Sequence, residues 1–175
     1  MEYKASKKNG KIYSYRNLAG TLCQFPDLPS GCEITSWTMM ANFAGVNISK
    51  KQAAKIMPRS KNPHKGFVGN PHKRSGGALI IYPNGLKKMT VKYLGSYNNL
   101  SGCSHKTIKK QLRKGKLVMV WVYGLGFNWS HTVALTGYYD KGFYYNDPYT
   151  GRKSKISYGV FDYKWFANGR MAMTY

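Results

Sequence analysis

The second half of the chain contains three apolar runs separated by short turns, and this pattern limits the possible folds most. The runs are KLVMVWVYG at 116–124, HTVALTGYYD at 131–140 and GFYYND at 142–147. β-Branched and aromatic residues are abundant in all three, and Asp140-Lys141-Gly142 is typical of a tight hairpin turn. The runs therefore predict neighbouring antiparallel strands, followed by a last strand in RMAMTY at 170–175.

Helical signals dominate the first half. After Ser30, a candidate N-cap, Ile34, Trp37 and Ala41 recur at helical spacing, and Gly45 is suited to the position after a helix end. A second helix is predicted at 49–57, with a Ser49–Gln52 capping box. The second half adds two helices to its strands, at 104–115 with Ser104 as cap and at 160–169.

Helices first and an antiparallel sheet afterwards predict an α+β fold. A length of 175 residues is suited to one domain with a substantial core. We assign that domain to residues 21–175 and expect residues 1–20 to form a basic N-terminal arm or an edge strand.

The charge balance is extreme. The chain has 28 lysines and arginines against 6 acidic residues, a net charge of +22, which predicts salt-sensitive attraction to polyanions. The cations are scattered along the chain, and no sequence-reading nucleic-acid motif occurs. No apolar run is long enough for a membrane span, and no secretory signal is present, so the protein is intracellular or a leader has been removed.

Cysteine and histidine usage does not favour a metal site. Cys23, Cys32 and Cys103 form no Cys-x-x-Cys pair, so we expect no structural zinc. Free thiols are the favoured state of these cysteines, and a Cys23–Cys103 disulfide in an extracytoplasmic protein is the alternative. His64 and His72 lie in a long loop rich in Gly, Pro and Asn, where solvated side chains are favoured over metal ligands.

Cys32 falls in the first turn of a predicted helix, where the helix N-terminus favours a thiolate. A small buried apolar residue is the alternative interpretation. His131 opens one strand and Asp147 closes the next, so both lie at one edge of the sheet. A regular hairpin leaves them about three positions, or about 10 Å, apart, so either a bulge or a His131 that lies just before strand pairing begins is required to join them. Gln24 is a candidate oxyanion donor.

Several segments together resemble the C39-like cysteine peptidases, a papain-like bacterial superfamily, and in particular its secreted branch with an LPxGCE motif. The segments are LCQFPDLPSGCEITSWTMMANFAGVNISKKQAAKIM, GFVGNPHKRSGG, GKLVMVWVYG, SHTVALTGYYDKGFYYNDPYTG and FDYKWFANG. The resemblance implies a papain-like fold, with a helix that carries the cysteine packed on an antiparallel sheet. It also implies an extracellular or cell-surface location, although an intracellular one stays open.

The resemblance implies that Cys32 is the nucleophile, His131 the general base and acid, Asp147 the orienting residue and Gln24 the oxyanion donor. It implies hydrolysis of peptide or protein substrates. We expect no cofactor and, although the sequence does not determine the oligomeric state, a monomer. Hydrolysis of cell-wall amides and non-enzymatic binding of a polyanion are the alternatives, the first motivated by attraction of the surface lysines to anionic wall polymers. Candidate walls of the cleft are Ser30, Gly31, Gly69, Gly76, Gly77 and Trp129.

Overall fold

The structure is a computed structural model that describes residues 2–74, 79–125 and 130–175. Its strands are β1 (Tyr3–Lys8), β2 (Lys11–Asn17), β3 (Asn98–Asn99), β4 (Val118–Tyr123), β5 (Ser130–Tyr139), β6 (Gly142–Asp147), β7 (Arg152–Ser157) and β8 (Ala172–Thr174). Its helices are α1 (Cys32–Phe43), α2 (Lys50–Ile56), α3 (Lys87–Leu94), α4 (His105–Arg113) and α5 (Tyr158–Phe166), with a short 3-10 turn at Pro83–Leu86.

Strand β5 organises the sheet. One of its edges pairs first with β4 and then, further along, with β2, while the other edge pairs with β6. Strand β7 continues the sheet beyond β6, β1 continues it beyond β2, and β8 and β3 continue it beyond β4. All of these pairings are antiparallel, and the predicted α+β fold with a helix packed on an antiparallel sheet is confirmed.

Two hydrophobic cores are built from alternate residues of the central strands. Met119, Trp121 and Ala134 pack in the core that includes α1 and α2, whereas Val120 and Val133 pack in the core that includes α4 and α5. Alternation is expected because successive side chains of a strand point to opposite faces. Each face of the sheet is therefore covered by its own helices.

Helix α1 is more deeply buried than its sequence predicts. Its first ten residues are all buried, so the predicted single apolar stripe describes only part of its packing surface. Some of its polar side chains make hydrogen bonds: the Trp37 ring N–H donates to Thr90, and the Thr38 hydroxyl donates to the Ile34 carbonyl. The buried Thr35 hydroxyl, in contrast, has no partner among the described residues. The deep position of α1 keeps its first turn in a fixed relation to the sheet.

Several local predictions are confirmed. Ser49 and Gln52 form the complete capping box of α2, Ser104 caps α4, and Gly45 follows α1 with a φ of +97°. Ser30, in contrast, is not the N-cap of α1: that position belongs to Gly31, and no side chain in the described part of the chain caps the helix. The Ser30 hydroxyl donates to the Lys73 carbonyl instead, which removes it from the helix end.

Besides the two-residue β3 and the short 3-10 turn, one strand and one helix have no counterpart in the sequence predictions. Strand β7 (RKSKIS) is exposed except at Ile156, so it lacks the alternation by which a half-buried strand is recognised. Helix α3 (KKMTVKYL) buries only Met89 and Thr90. Because few side chains of β7 and α3 are buried, neither segment shows a clear apolar periodicity in its sequence.

All three cysteines are free thiols, so the alternative of a Cys23–Cys103 disulfide does not hold. Cys23 lies beside the Tyr149 carbonyl, whereas the Cys103 carbonyl accepts a hydrogen bond from Arg170. The two cysteines therefore belong to different loop clusters. Within the described ranges, no helix has the length and apolar character needed to cross a membrane.

Candidate active site

His131 and Asp147 form a buried hydrogen-bonded pair at the start of β5 and the end of β6. His131 Nε2 lies 2.7 Å from Asp147 Oδ1, and the two side chains are 0% and 9% exposed. Burial on this scale excludes most of the water that would weaken a charge–dipole contact. The pair can therefore hold the His131 ring in one orientation.

A β-bulge brings the two side chains together. The register changes between Leu135 and Gly137, which inserts one extra residue into β5. Beyond the bulge Ala134 pairs with Asn146, so continuing the register by one residue sets Asp147 opposite Val133. His131 is two positions from Val133, an even offset that puts both side chains on one face of the sheet, whereas a regular hairpin would leave an odd offset.

Asp147 accepts additional hydrogen bonds that favour its charged form. The Tyr149 backbone N–H donates to Oδ1 at 2.8 Å, and the Thr150 hydroxyl donates to Oδ2 at 3.1 Å. Burial alone would raise the pKa of Asp147, but His131 and these two donors together hold it below its usual value. Asp147 is therefore an anion at neutral pH.

Cys32 is the first residue of α1, directly after the N-cap Gly31. Its thiol lies next to Thr132, the residue that follows His131, and the Ser36 hydroxyl ties α1 to the Thr132 carbonyl at 3.0 Å. A Cβ at Gly31 would lie only 2.6 Å from Leu28 Cβ, so the entry to α1 requires a glycine there. The fold thus brings the helix start to the beginning of β5.

The Cys32 thiol donates to the carboxylate of its neighbour, with 3.2 Å between Sγ and Glu33 Oε2. Burial raises the pKa of Cys32 well above its usual value, and the Glu33 charge raises it further, while Thr132 acts in the opposite direction. The expectation that the helix N-terminus lowers this pKa is therefore wrong for the structure as it stands. Desolvation outweighs the helix dipole at this site.

Glu33 is the residue of this site that sequence reasoning missed. It is 2% exposed, and burial raises its pKa to about 7. Its other oxygen accepts from the Ile81 N–H at 3.4 Å, and no lysine or arginine of the described chain forms a salt bridge with it. The available signal was the scarcity of acids together with the position of Glu33 beside Cys32.

His131 Nδ1 is buried and has no hydrogen-bond partner among the residues that the structure describes. No hydrogen bond joins it to the Cys32 sulfur, which points to Glu33 instead. The structure thus brings Cys32, His131 and Asp147 into one region and links the last two directly. The unpartnered nitrogen is the ring atom that remains able to accept a proton.

Gln24 is completely buried, and hydrogen bonds from its side chain and its backbone fix the loop that carries it. Its side-chain amide donates to the Pro29 carbonyl at 2.7 Å, and its backbone N–H donates to the Pro148 carbonyl, just after Asp147. Lys50 Nζ donates to the carbonyls of Cys23, Gln24 and Phe25 and lies 3.1 Å from Asp27. An amide has two N–H donors, so one donor of Gln24 remains beyond the bond to Pro29.

The predicted cleft walls have mixed outcomes. Ser30 joins the start of α1 to the 71–73 segment through the Pro71 and Lys73 carbonyls, and Gly31 is the N-cap. Gly69 has a φ of +82°, and a Cβ there would lie 2.3 Å from Leu79 Cδ2. The other three predicted wall residues, Gly76, Gly77 and Trp129, lie outside the described residues.

The loop histidines have separate partners. The His64 ring packs edge-on against Tyr82, whereas His72 Nδ1 lies 2.9 Å from the Asp27 carbonyl oxygen. In the described parts of the chain, no three His, Cys, Asp or Glu side chains are grouped as a metal ion would require.

This fold, with a cysteine at the start of a helix and a His–Asp pair at the sheet edge, is that of a papain-like cysteine peptidase. A sequence model of the Peptidase_C39 like family matches residues 13–173, and the chain belongs to that family.

Two individual proteins are similar. An uncharacterized protein of Bacillus subtilis (strain 168), YvpB, is 29% identical over 200 residues, which cover 98% of this chain and 77% of YvpB. A crystal structure of a candidate C39-like peptidase from Bacillus anthracis superposes with a TM-score of 0.82 at 25% identity, covering 91% of this chain and 94% of that one.

Proposed function

We propose that the protein is a cysteine peptidase that hydrolyses peptide bonds through Cys32, His131 and Asp147, with Gln24 as the oxyanion donor. The observation that carries the proposal is the buried 2.7 Å contact between His131 Nε2 and Asp147 Oδ1. This contact leaves His131 Nδ1 without a hydrogen-bond partner among the described residues. The next residue along the strand, Thr132, contacts the Cys32 thiol. A nucleophile, a base and an orienting acid in this order are what thiol acyl transfer requires.

The first step moves the thiol proton from Cys32 to His131 Nδ1. The sulfur leaves its hydrogen bond with Glu33, and the resulting imidazolium is stabilised by the Asp147 anion. The Cys32 thiolate then attacks the peptide carbonyl carbon, and the carbonyl electron pair moves to oxygen. The Cys32 backbone N–H and the second N–H of Gln24 donate to that oxyanion.

The intermediate collapses when the C–N bond breaks and His131 gives its proton to the departing amine. A thioester between Cys32 and the acyl group remains. His131, now neutral, takes a proton from water, and the hydroxide attacks the thioester. A carboxylic acid is released and the thiol is regenerated.

Turnover of a peptide library, followed by mass spectrometry, tests the proposal. Cys32→Ala and His131→Ala are expected to abolish cleavage, because each removes a group that reacts. Cys103→Ala is the matched control, since this half-buried thiol belongs to the loop cluster of Arg170 and not to the site, and it is expected to cleave normally. Cleavage that survives in Cys32→Ala would contradict the proposal.

The net charge of +22 favours one particular substrate setting, the peptide or amide bonds of an anionic cell wall. This second candidate uses the same residues and would require an extracellular or cell-surface location. Release of new amino groups from purified wall by the wild type, but not by Cys32→Ala, would support it. Inert wall beside cleaved peptides would leave the general peptidase as the function.

A further inference from the structure

A row of residues crosses five strands on one face of the sheet. The pairings join Lys4 of β1 to Arg16 of β2, Arg16 to Gly137 of β5, Gly137 to Tyr144 of β6, and Tyr144 to Lys155 of β7. Directly paired residues of antiparallel strands point to the same side. With strands ~4.8 Å apart, the row spans about 19 Å.

Two further residues belong to the same face because they lie two positions from members of the row. These are Tyr139 on β5 and Lys153 on β7. We call the six side-chain-bearing residues the basic sheet face: Lys4, Arg16, Tyr139, Tyr144, Lys153 and Lys155. The three lysines are exposed, and the arginine and the tyrosines are half-buried.

Gly137 makes room for the centre of this face. A Cβ at Gly137 would lie 2.1 Å from the Tyr15 carbonyl oxygen and 2.6 Å from Arg16 Cα, so only glycine allows β2 to pair here. The Arg16 guanidinium reaches across the side-chain-free position and lies 4.8 Å from the centre of the Tyr144 ring. Lys155 Nζ similarly lies 5.8 Å from the Tyr139 ring. The rings hold the cations in place on the sheet.

The charges of this face are not neutralised by the protein. Among the described residues, only Lys50 and Lys51 of all lysines and arginines form a salt bridge, and both use Asp27. Asp147 and Asp162 pair with histidines, and Glu33 is buried. Asp140 lies in the β5–β6 turn. Glu2 lies two positions before Lys4, next to the end of the row, but no salt bridge joins it to a described cation of the face. The four cations therefore act together on anything that approaches.

We propose that the basic sheet face binds a linear polyanion whose charges are repeated phosphate groups. Lys4 and Arg16 are one strand spacing apart, and Lys155 lies three strand spacings from Arg16, or about 14 Å. An extended polymer can contact all of these positions at once, whereas a single small anion can contact only one or two. Because the positive side chains form a row, they are complementary to the repeated negative charges of a polymer.

The aromatic residues argue against a nucleic acid as the occupant. Single strands are bound by stacking of bases on open aromatic faces. Here Arg16 lies over Tyr144, Lys155 lies near Tyr139, and the two rings are 5.3 Å apart at 45° to each other. Ring faces that already hold cations offer poor stacking platforms, so the polymer contacts the cations and not the rings.

The face and the candidate active site share strand β6 but use opposite sides of it. Tyr144 precedes Asp147 by three residues, about 10 Å along the strand, and this odd offset puts their side chains on opposite faces of the sheet. A polymer bound there would keep the cleft near whatever carries the polymer. Binding itself does not depend on catalysis, so Cys32→Ala is expected to bind like the wild type.

Binding of inorganic polyphosphate at several salt concentrations tests the proposal in the full chain. The face variant carries Lys4→Gln, Arg16→Gln, Lys153→Gln and Lys155→Gln. The matched control removes four charges from exposed lysines elsewhere: Lys61→Gln, Lys65→Gln, Lys87→Gln and Lys88→Gln. We expect the face variant to lose about tenfold or more in affinity and to show a shallower salt dependence, while the control loses less than about threefold.

Three results would overturn the proposal. Equal losses in both variants would mean diffuse attraction by net charge. Undiminished binding by the face variant would place the site elsewhere. Single-stranded RNA that binds more tightly than polyphosphate of equal charge, and less tightly after Tyr144→Ala, would make nucleic acid the occupant. The pair Lys153→Gln and Lys155→Gln, which removes only exposed side chains, repeats the test should the Arg16 change impair folding.

Discussion

Two carboxylates lie in the region of the candidate reacting groups, one in the first turn of α1 and one at the β5–β6 edge, and their surroundings differ. Asp147 receives hydrogen bonds from His131, the Tyr149 N–H and the Thr150 hydroxyl. Glu33 receives only the Cys32 thiol and a long contact from the Ile81 N–H, and it has no cation partner within the described residues. The pKa of Asp147 is lowered, whereas that of Glu33 is raised to about 7.

The difference shows that the number and kind of donors, and not burial alone, decides the charge of an enclosed acid. Asp147 offsets its desolvation with three donors and stays ionised, as an acid that orients a histidine must. Glu33 does not, so it holds a proton up to neutral pH and accepts the thiol hydrogen when it is ionised. The surroundings of Asp147 therefore stabilise a charged carboxylate, whereas those of Glu33 favour the neutral acid.

The largest expected effect comes from removing the acid that has the most donors. Asp147→Ala is expected to lower kcat/KM by roughly 10²–10⁴-fold, because His131 loses both its fixed orientation and the anion that stabilises its charged form. Peptide-cleavage kinetics measure the loss, with Asp140→Ala in the β5–β6 turn as the matched control. Asp147→Asn keeps a hydrogen-bond acceptor for His131, so its kcat/KM is expected to lie between the values of Asp147→Ala and Asp140→Ala. Full activity in Asp147→Ala would remove the acid from the mechanism.

A pH titration of stability measures the other side of the comparison. The folded pKa of Glu33 is about 7 and its unfolded value is near 4.5, so the folded state keeps a proton that the unfolded chain has already lost. The contribution of Glu33 is fully present below about pH 4.5 and is lost as pH rises through 7, about 3 kcal/mol in all. Urea unfolding at about pH 5 and pH 8 measures this fall.

Glu33→Gln is the control for that titration. The glutamine side chain does not ionise, so the variant is expected to show a smaller decrease of unfolding free energy over the same pH interval. The exposed Glu2→Gln change is expected to leave the decrease as in the wild type. Parallel curves for the wild type and Glu33→Gln would mean that Glu33 is ionised in the folded protein throughout, and the contrast with Asp147 would disappear.

Cysteine reactivity tests the same contrast directly at the sulfur. Glu33→Gln is expected to speed alkylation of Cys32 at pH 8 by about tenfold, because the negative charge that opposes a thiolate is replaced by a neutral amide of similar shape. Peptide mapping after iodoacetamide treatment measures Cys32, with Cys23 and Cys103 as internal references. Slower or unchanged labelling would show that Glu33 does not set the reactivity of the thiol.

Particular residues show how far the sequence predicts this site. Cys32, His131 and Asp147 can be selected as candidates because helix ends and strand ends leave composition signals. Gln24 has no such local signal and is selected only through its place in the ordered set and the family resemblance. The bulge at 135–137 cannot be located from sequence. The hairpin register leaves it as one of two ways to close the gap, and Gly137, a glycine inside a strand, is a signal that often accompanies a bulge. The raised pKa of Cys32 depends on burial by distant elements, and no local pattern records it.

A third enclosed charge extends the comparison and has the smallest expected effect. The Lys50 side chain is 16% exposed and has four partners, the carbonyls of Cys23, Gln24 and Phe25 and the Asp27 carboxylate. Lys50→Met keeps the length of the side chain but leaves these acceptors without a donor, so we expect a loss of about 1–3 kcal/mol in unfolding free energy. The Gln24 loop should also loosen, with a fewfold decrease in kcat and little change in KM.

Lys51→Met is the matched control, because Lys51 is 65% exposed and its only salt bridge in the described chain is with Asp27. Equal effects from the two substitutions would mean that the carbonyl contacts of Lys50 contribute nothing beyond the shared ion pair.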